Sequence, residues 1–226
     1  MHMWKWLKNT KIGIDLGTTN TLVFVAGKGI VLNEPTVVAV NRTTKKIEAI
    51  GTEAKKMVGK TNGEILVYKP MQDGAIADYN VTLSLLKYFI NKALGSSTLL
   101  KPDVLVSVPA GISSTERRAV IEATIKAGAR NAVIAKEPIL AALGAGVPIN
   151  EARGHMIIDI GGGTTDVAVI SLGGVVASTS VKCAGNKIDA ALIEYIKRSY
   201  GIAIGEQSSE ELKKHLASAL PINPVS

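Results

Sequence analysis

A single cysteine, Cys183, leaves no partner for an internal disulfide and fits a reducing compartment. Nothing near it suggests a nucleophile, so it reads as a buried small hydrophobe. No apolar run approaches the roughly 20 residues of a membrane span. Met1 to Thr10 lacks an apolar core and a small-residue cleavage site, so no secretory signal is expected. No GxxxxGKS/T run is present, which excludes a P-loop protein. No GxGxxG with a distal acid follows a strand, which argues against a dinucleotide fold. The net charge of +7 is spread along the chain, without a zinc-finger or helix-turn-helix pattern. We read it as solvated surface and expect no nucleic-acid partner. There is no low-complexity linker. What remains, at 46% hydrophobic and 20% charged residues, is the composition of a globular protein with a substantial core.

The most informative stretch is His155 to Ile170, HMIIDIGGGTTDVAVI. Two short apolar runs flank a glycine-rich break, the pattern of a β-hairpin. Gly161, Gly162 and Gly163 let backbone approach a ligand closely. Exposed N–H groups with the Thr164 and Thr165 hydroxyls make an anion cradle. Asp159 ends a buried strand at the mouth of this turn, where a carboxylate is costly unless it meets a cation such as hydrated Mg²⁺. The plainer reading is a hairpin with glycines for twist.

A second copy argues against the plainer reading. Ile12 to Phe24 reads IGIDLGTTNTLVF. Moved 144 residues along, Ile14, Asp15, Leu16 and Gly17 fall on Ile158, Asp159, Ile160 and Gly161. Thr21 falls on Thr165, and the alignment runs ungapped to Val31 on Val175. A repeated segment marks a duplicated structural unit. Two facing Asp–Gly hairpins would hold a polyphosphate and its metal, with Gly17, Thr18, Thr19, Asn20, Gly161, Gly162, Gly163 and Thr164 around the phosphates and Asp15 and Asp159 on Mg²⁺ through water.

Elsewhere, strands and helices alternate, giving an α/β domain. Asp78 or Asn80 is expected to cap a helix to Leu94, and Ser113 with Glu116 to form a capping box. Thr52 is expected to cap a short helix, and Ser208 with Glu211 a last helix through about Leu220. Glu137 follows a strand and precedes Pro138 at a helix start, where the helix dipole favours a carboxylate. Met1 to Lys8, MHMWKWLK, carries both tryptophans; as a helix it would place Met3, Trp6 and Leu7 on one face. It reads as an interfacial membrane anchor or, more plainly, as a terminus that packs or frays.

These segments carry a resemblance. The paired hairpins resemble the phosphate loops of the actin, heat-shock chaperone and sugar-kinase superfamily. IGIDLGTTNTLVFVAGKGIVLNEPTVVAV, KPMQDGAIADY, SVPAGISSTERRAVIEATIKAGAR, EPILAALGAG and IDIGGGTTDVAVISLGG resemble the MreB family of bacterial actin-like, rod-shape-determining proteins. The resemblance covers roughly residues 10 to 213. It implies a duplicated actin-like (ribonuclease-H-like) α/β fold: an amphipathic segment over 1–10, a first domain over 11–145 with a small insertion near 33–73, and a second domain over 146–226. That second half is expected to be incomplete, without the later Gly-Gly motif that holds adenosine.

The resemblance implies further roles. Glu137 would activate water, with Thr164 orienting it, or would be a simple helix N-terminal acid. Gly185, with Asn186 and Asp189, would approach phosphate or ribose. Glu210 and Lys213 would contact the nucleoside, or lie on a solvated helix face. The implied protein is an ATP-binding ATPase that forms filaments under the cytoplasmic face of the membrane and works with the cell-wall synthesis machinery. Two alternatives stand beside it: a non-catalytic scaffold or remnant with weak nucleotide binding, and a small-molecule kinase, for which no substrate-facing catalytic Asp is evident.

Overall fold

The computed structural model describes residues 9–60, 63–72, 75–76, 78–95 and 100–220. The tryptophan-bearing segment Met1 to Lys8 lies outside them. The chain divides into two compact units, 1–182 and 183–226.

In the first unit the chain opens with three antiparallel strands, β1 (Lys11–Leu16), β2 (Asn20–Val25) and β3 (Gly29–Pro35). A small sheet follows, built from β4 (Val38–Asn41), β5 (Ile47–Ile50) and β6 (Ile65–Tyr68), with α1 (Thr52–Lys56) between the last two. A two-stranded ribbon, β7 (Met71–Gln72) and β8 (Ala75–Ile76), leads to α2 (Tyr79–Leu94). Then come β9 (Asp103–Val108), α3 (Ser114–Lys126), β10 (Asn131–Lys136) and α4 (Glu137–Gly144). The unit closes with β11 (His155–Ile160), β12 (Thr165–Ser171) and β13 (Gly174–Val181).

The main sheet has the order β10-β9-β1-β2-β3, with β9 parallel to both β1 and β10 and the rest antiparallel. Alternation buries Ile12, Ile14 and Leu16 of β1 and Val104 and Val106 of β9. They pack on the expected α2 stripe of Leu85, Leu86, Phe89, Ile90 and Ala93, and on Val120 and Ala123 of α3.

Local chemistry sets the helix ends. Asp78 accepts from the Val81 amide at 3.1 Å and caps α2. Ser113 and Glu116 form the expected reciprocal capping box on α3. Thr52, however, is the first residue of α1 and not its cap. The carboxylate that reaches this helix start comes from β3: Glu34 Oε2 accepts from the Thr52 amide at 3.3 Å. Glu34 also takes hydrogen bonds from Lys92 Nζ at 2.6 Å and Tyr88 Oη at 3.2 Å, tying β3 to α1 and α2.

The duplication seen in the sequence is matched in strand register. Asp15 pairs with Leu22 and Leu16 with Thr21; 144 residues on, Asp159 pairs with Asp166 and Ile160 with Thr165. One face of the β11-β12-β13 sheet packs through Ile157, Ile170 and Val175 against Ile139 and Ala142 of α4. The other face exposes Met156, Ile158, Ile160 and Val176.

In the second unit, α5 (Gly185–Tyr200) ends on a left-handed Gly201, and α6 (Glu206–Leu216) follows. The expected Ser208–Glu211 cap is not formed: Gly205 is the N-cap and the helix stops four residues short of Leu220. Ser209 is buried instead, and its hydroxyl donates to the Asp189 carbonyl at 2.8 Å. No residue of α5 is buried, and Ile188 and Tyr195 stand exposed. Cys183, expected to be buried, is exposed as well, because it leads into this uncovered helix.

Candidate functional site

The two glycine-threonine turns of the first unit oppose each other. A Cβ placed on Gly162 would lie 2.8 Å from Thr19 Cβ, inside carbon–carbon contact. One placed on Gly163 would lie 3.0 to 3.2 Å from the Thr18 side chain. Glycine is therefore required at 162 by the approach of the facing loop. Each turn is also closed on itself: the Gly161 amide donates to the Thr164 carbonyl at 2.9 Å, and a Cβ on Gly17 would meet the Asn20 carbonyl at 2.7 Å.

The first turn is held from below. The Thr36 hydroxyl donates to the Gly17 carbonyl at 2.7 Å, which leaves its oxygen to accept from the Thr21 hydroxyl at 2.9 Å. The Thr36 amide donates to the Thr19 carbonyl at 2.9 Å. Thr21 and Thr36 are fully buried, so this network fixes the loop without water.

Four carboxylates gather at the same place. Asp15 is the penultimate residue of β1, and Asp159 that of the duplicate strand β11. Glu137 opens α4, a helix that packs against both sheets. Asp166 lies across the hairpin from Asp159. Burial first, then the charges of Asp15, Asp166 and Asp159, push the Glu137 carboxyl up to about 8. Asp159 is raised in the same sense, by burial and then by Asp15 and Asp166. Asp15 and Asp159, expected to share one cleft, are thus close enough to act on each other. Ser107, on β9, donates to Asp15 Oδ1 at 2.5 Å and orients it.

These residues fit a hydrated cation with a polyanion. Like charges this close repel, and a cation between them reverses the sign of the interaction. Among the described residues, no group of three His, Cys, Asp or Glu side chains converges enough to grip a metal directly. Between the turns, glycine backbone at 161–163 and 17, with the Thr164 side chain nearly buried beside it, forms a cradle that a side chain at 162 would fill.

The MreB/Mbl protein family model matches residues 9–225. The chain belongs to the MreB/Mbl family. It is 49% identical over 210 residues to the cell shape-determining protein Mbl of Bacillus subtilis (strain 168), covering 93% of this chain and 63% of that protein. It is 50% identical over 220 residues to the cell shape-determining protein MreB of Escherichia coli (strain K12), covering 95% and 63%. The chain therefore spans somewhat under two thirds of the length of these MreB/Mbl relatives. Among solved structures, MreB5 of Spiroplasma citri bound to ADP superposes with a TM-score of 0.89 at 41% identity, over 96% of this chain and 65% of that one. The MamK double helical filament superposes at 0.76 with 22% identity, over 92% and 65%, and bears on fold alone. The fold is actin-like, with its second half incomplete relative to these MreB/Mbl structures.

The predicted residues thus separate into two groups. Asp15, Gly17, Thr18, Thr19, Asn20, Glu137, Asp159, Gly161, Gly162, Gly163 and Thr164 all belong to the first unit and its paired turns. Gly185, Glu210 and Lys213 belong to the second. There Lys213 Nζ pairs with Asp189 at 2.8 Å and donates to the Gly185 carbonyl at 3.1 Å, while Glu210 accepts from Lys214 at 2.7 Å. Sequence reading missed Ser107, Thr36 and Asp166 as site residues. Only Asp166 carried a signal, as the acid standing where the first copy has Leu22.

Proposed function

We propose that the chain binds ATP with Mg²⁺ between its two glycine-threonine turns and is the nucleotide-binding part of a filament-forming, cell-shape-determining actin homologue. The observation that carries this is the close approach of Gly162 and Gly163 to Thr19 and Thr18, with Asp15, Asp159, Glu137 and Asp166 gathered at the turns. Membership of the MreB/Mbl family supports it, as does the likeness to MreB5 of Spiroplasma citri, which has been solved with ADP and with AMPPNP.

The backbone N–H groups of both turns, with the Thr18, Thr19 and Thr164 hydroxyls, bind phosphate oxygens. Asp15 and Asp159 would hold Mg²⁺ through its water shell, and Ser107 would keep Asp15 in place. When bound, the ion shields the triphosphate charge and makes its terminal phosphorus open to attack. Glu137 receives the proton of the attacking water, and Thr164 orients that water. Phosphoryl transfer to water otherwise needs mainly positioning and charge neutralisation. Gly185, Glu210 and Lys213 belong to the nucleoside side in this reading.

Self-association into filaments follows from the family. The tryptophans and lysines of Met1–Lys8 support a peripheral place on the cytoplasmic face of the membrane, and the cell-shape role of the family supports cooperation with wall-synthesis proteins. The deciding experiment is ATP titration of the chain with Mg²⁺ and with EDTA. Binding strengthened by Mg²⁺ and weakened at least tenfold in D15N and D159N supports the reading; binding indifferent to both excludes it.

A further inference from the structure

Thr36 stands where the chain leaves the main sheet for the small one. Three successive residues there serve three places. Thr36 is fully buried beneath the first turn, Val37 is buried with Ala39 and Ala54 in the small sheet's own cluster, and Val38 enters the main core. The Val37 carbonyl also accepts from the Gly51 amide at 2.9 Å, which ties it to the start of α1.

Thr36 holds the turn at two carbonyls. Its hydroxyl donates to Gly17 at 2.7 Å and its amide to Thr19 at 2.9 Å. A trans peptide is planar, with its N–H opposite its C=O. Fixing the Gly17 and Thr19 carbonyls toward Thr36 therefore fixes the Thr18 and Asn20 amides to point away from the buried side of the turn.

Strand pairing does not demand this hydroxyl. Thr21 pairs with Glu34 and Thr165 with Val181, and two residues beyond these partners stand Thr36 and Cys183. The second hairpin forms with an exposed Cys183 at that place, and its chain runs on into α5 instead of a small sheet. The buried threonine goes with the copy that carries the insertion.

We propose that Thr36 is a positioning residue that couples the first turn to the small sheet. It aims the turn's amides at the phosphates, and phosphate held there steadies the small sheet through Val37. Linkage makes the effect reciprocal, so loosening the small sheet weakens phosphate binding. This rests on the Mg²⁺–ATP reading above.

The test uses the 226-residue chain with two substitutions. T36V keeps the shape and removes the hydroxyl; T36S keeps the hydroxyl. ATP affinity in Mg²⁺ is measured by calorimetry, and amide hydrogen exchange of β4, β5 and β6 is followed with and without saturating Mg²⁺–ATP. In the parent, ATP is expected to slow this exchange at least about threefold. T36V should bind ATP about tenfold more weakly, since one hydrogen bond to the turn is lost, and at saturation should show no slowing in the small sheet. T36S should restore both. The proposal is overturned if the parent binds ATP without that slowing, or if T36V keeps either the parental affinity or the slowing. T36S as weak as T36V would lay the effect on packing and overturns it too. Should T36V not fold, exchange in the parent decides. A parent that binds no Mg²⁺–ATP sinks the broader reading, and this inference with it, and is told apart by the calorimetry alone.

Discussion

Replacing Gly162 by alanine tests the facing turns where they are closest. The added methyl would lie 2.8 Å from Thr19 Cβ, while carbon atoms rest about 3.5–4.0 Å apart. Rotating the Thr19 side chain relieves the still closer contact with its Oγ1, but not the one with its Cβ. The turns must therefore separate by about 1 Å. Overpacking of this size costs about 1–3 kcal/mol. For a chain of this length that is a fall of about 2–12 °C in melting temperature. The same shift carries the glycine N–H groups away from the phosphates. Losing one charge-assisted hydrogen bond from each turn weakens ATP binding about 100-fold or more. Thr19→Gly removes the opposing Cβ, so the double variant should recover part of both losses. Melting and ATP titration of the four proteins form a double-mutant cycle with a coupling above about 1 kcal/mol. Wild-type stability and affinity in G162A, or purely additive losses in the double variant, would refute the facing-turn geometry.

Glu137→Gln should slow ATP hydrolysis at least 100-fold while changing ATP affinity less than threefold; equal losses would make Glu137 a ligand-holding residue. Its raised carboxyl also has a stability signature. The folded state holds the proton more tightly, so without cation the stability falls as pH rises from about 4.5 to about 8. E137Q should flatten that slope in melting curves, and Mg²⁺–ATP should reduce it in the parent. For Glu34 the sign is opposite. Burial raises its carboxyl, but the Lys92 ammonium, the Thr52 amide and Tyr88 outweigh burial and hold it below its usual 4.5. The stability it contributes is present above about 4.5 and is lost as pH falls through its lowered folded value. Glu34→Gln should cost about 1–2 kcal/mol at neutral pH and remove that acid loss, as read by urea melts. Ser107→Ala should weaken Mg²⁺-dependent ATP binding about tenfold and leave binding in EDTA unchanged, because only the orientation of Asp15 is lost. Trp4→Ala with Trp6→Ala should reduce co-sedimentation with anionic vesicles, more so at high salt, if the first eight residues are an anchor.

Much of the site was legible because the chain carries it twice. Asp15 on Asp159 and Thr21 on Thr165 aligned in sequence, and the same residues take matching register positions in the two hairpins. The helices with local caps, Asp78 on α2 and Ser113 on α3, were also legible, since donor and acceptor lie three residues apart. What escaped depends on residues distant in sequence. Glu34 serves the start of α1 from 18 positions away, so Thr52 looked like a cap. Ser107 reaches Asp15 across 92 residues, through a parallel strand pair that no local pattern announces. Thr36 supports the Gly17 turn from 19 residues on, and the sequence offers only a hydroxyl in a β-rich run. In α6 the Ser208 signal was sound locally, but Ser209 is buried against the Asp189 carbonyl and the cap falls three residues earlier, at Gly205.

The central claim is that two opposed turns and their aspartates grip a metal-bound triphosphate. Calorimetric titration with inorganic tripolyphosphate isolates that grip from any contribution of base or sugar. The account predicts one saturable site in Mg²⁺, weakened at least tenfold in EDTA, in D15N, in D159N and in G162A. Tripolyphosphate binding that is unaffected by EDTA and by all three substitutions would contradict it.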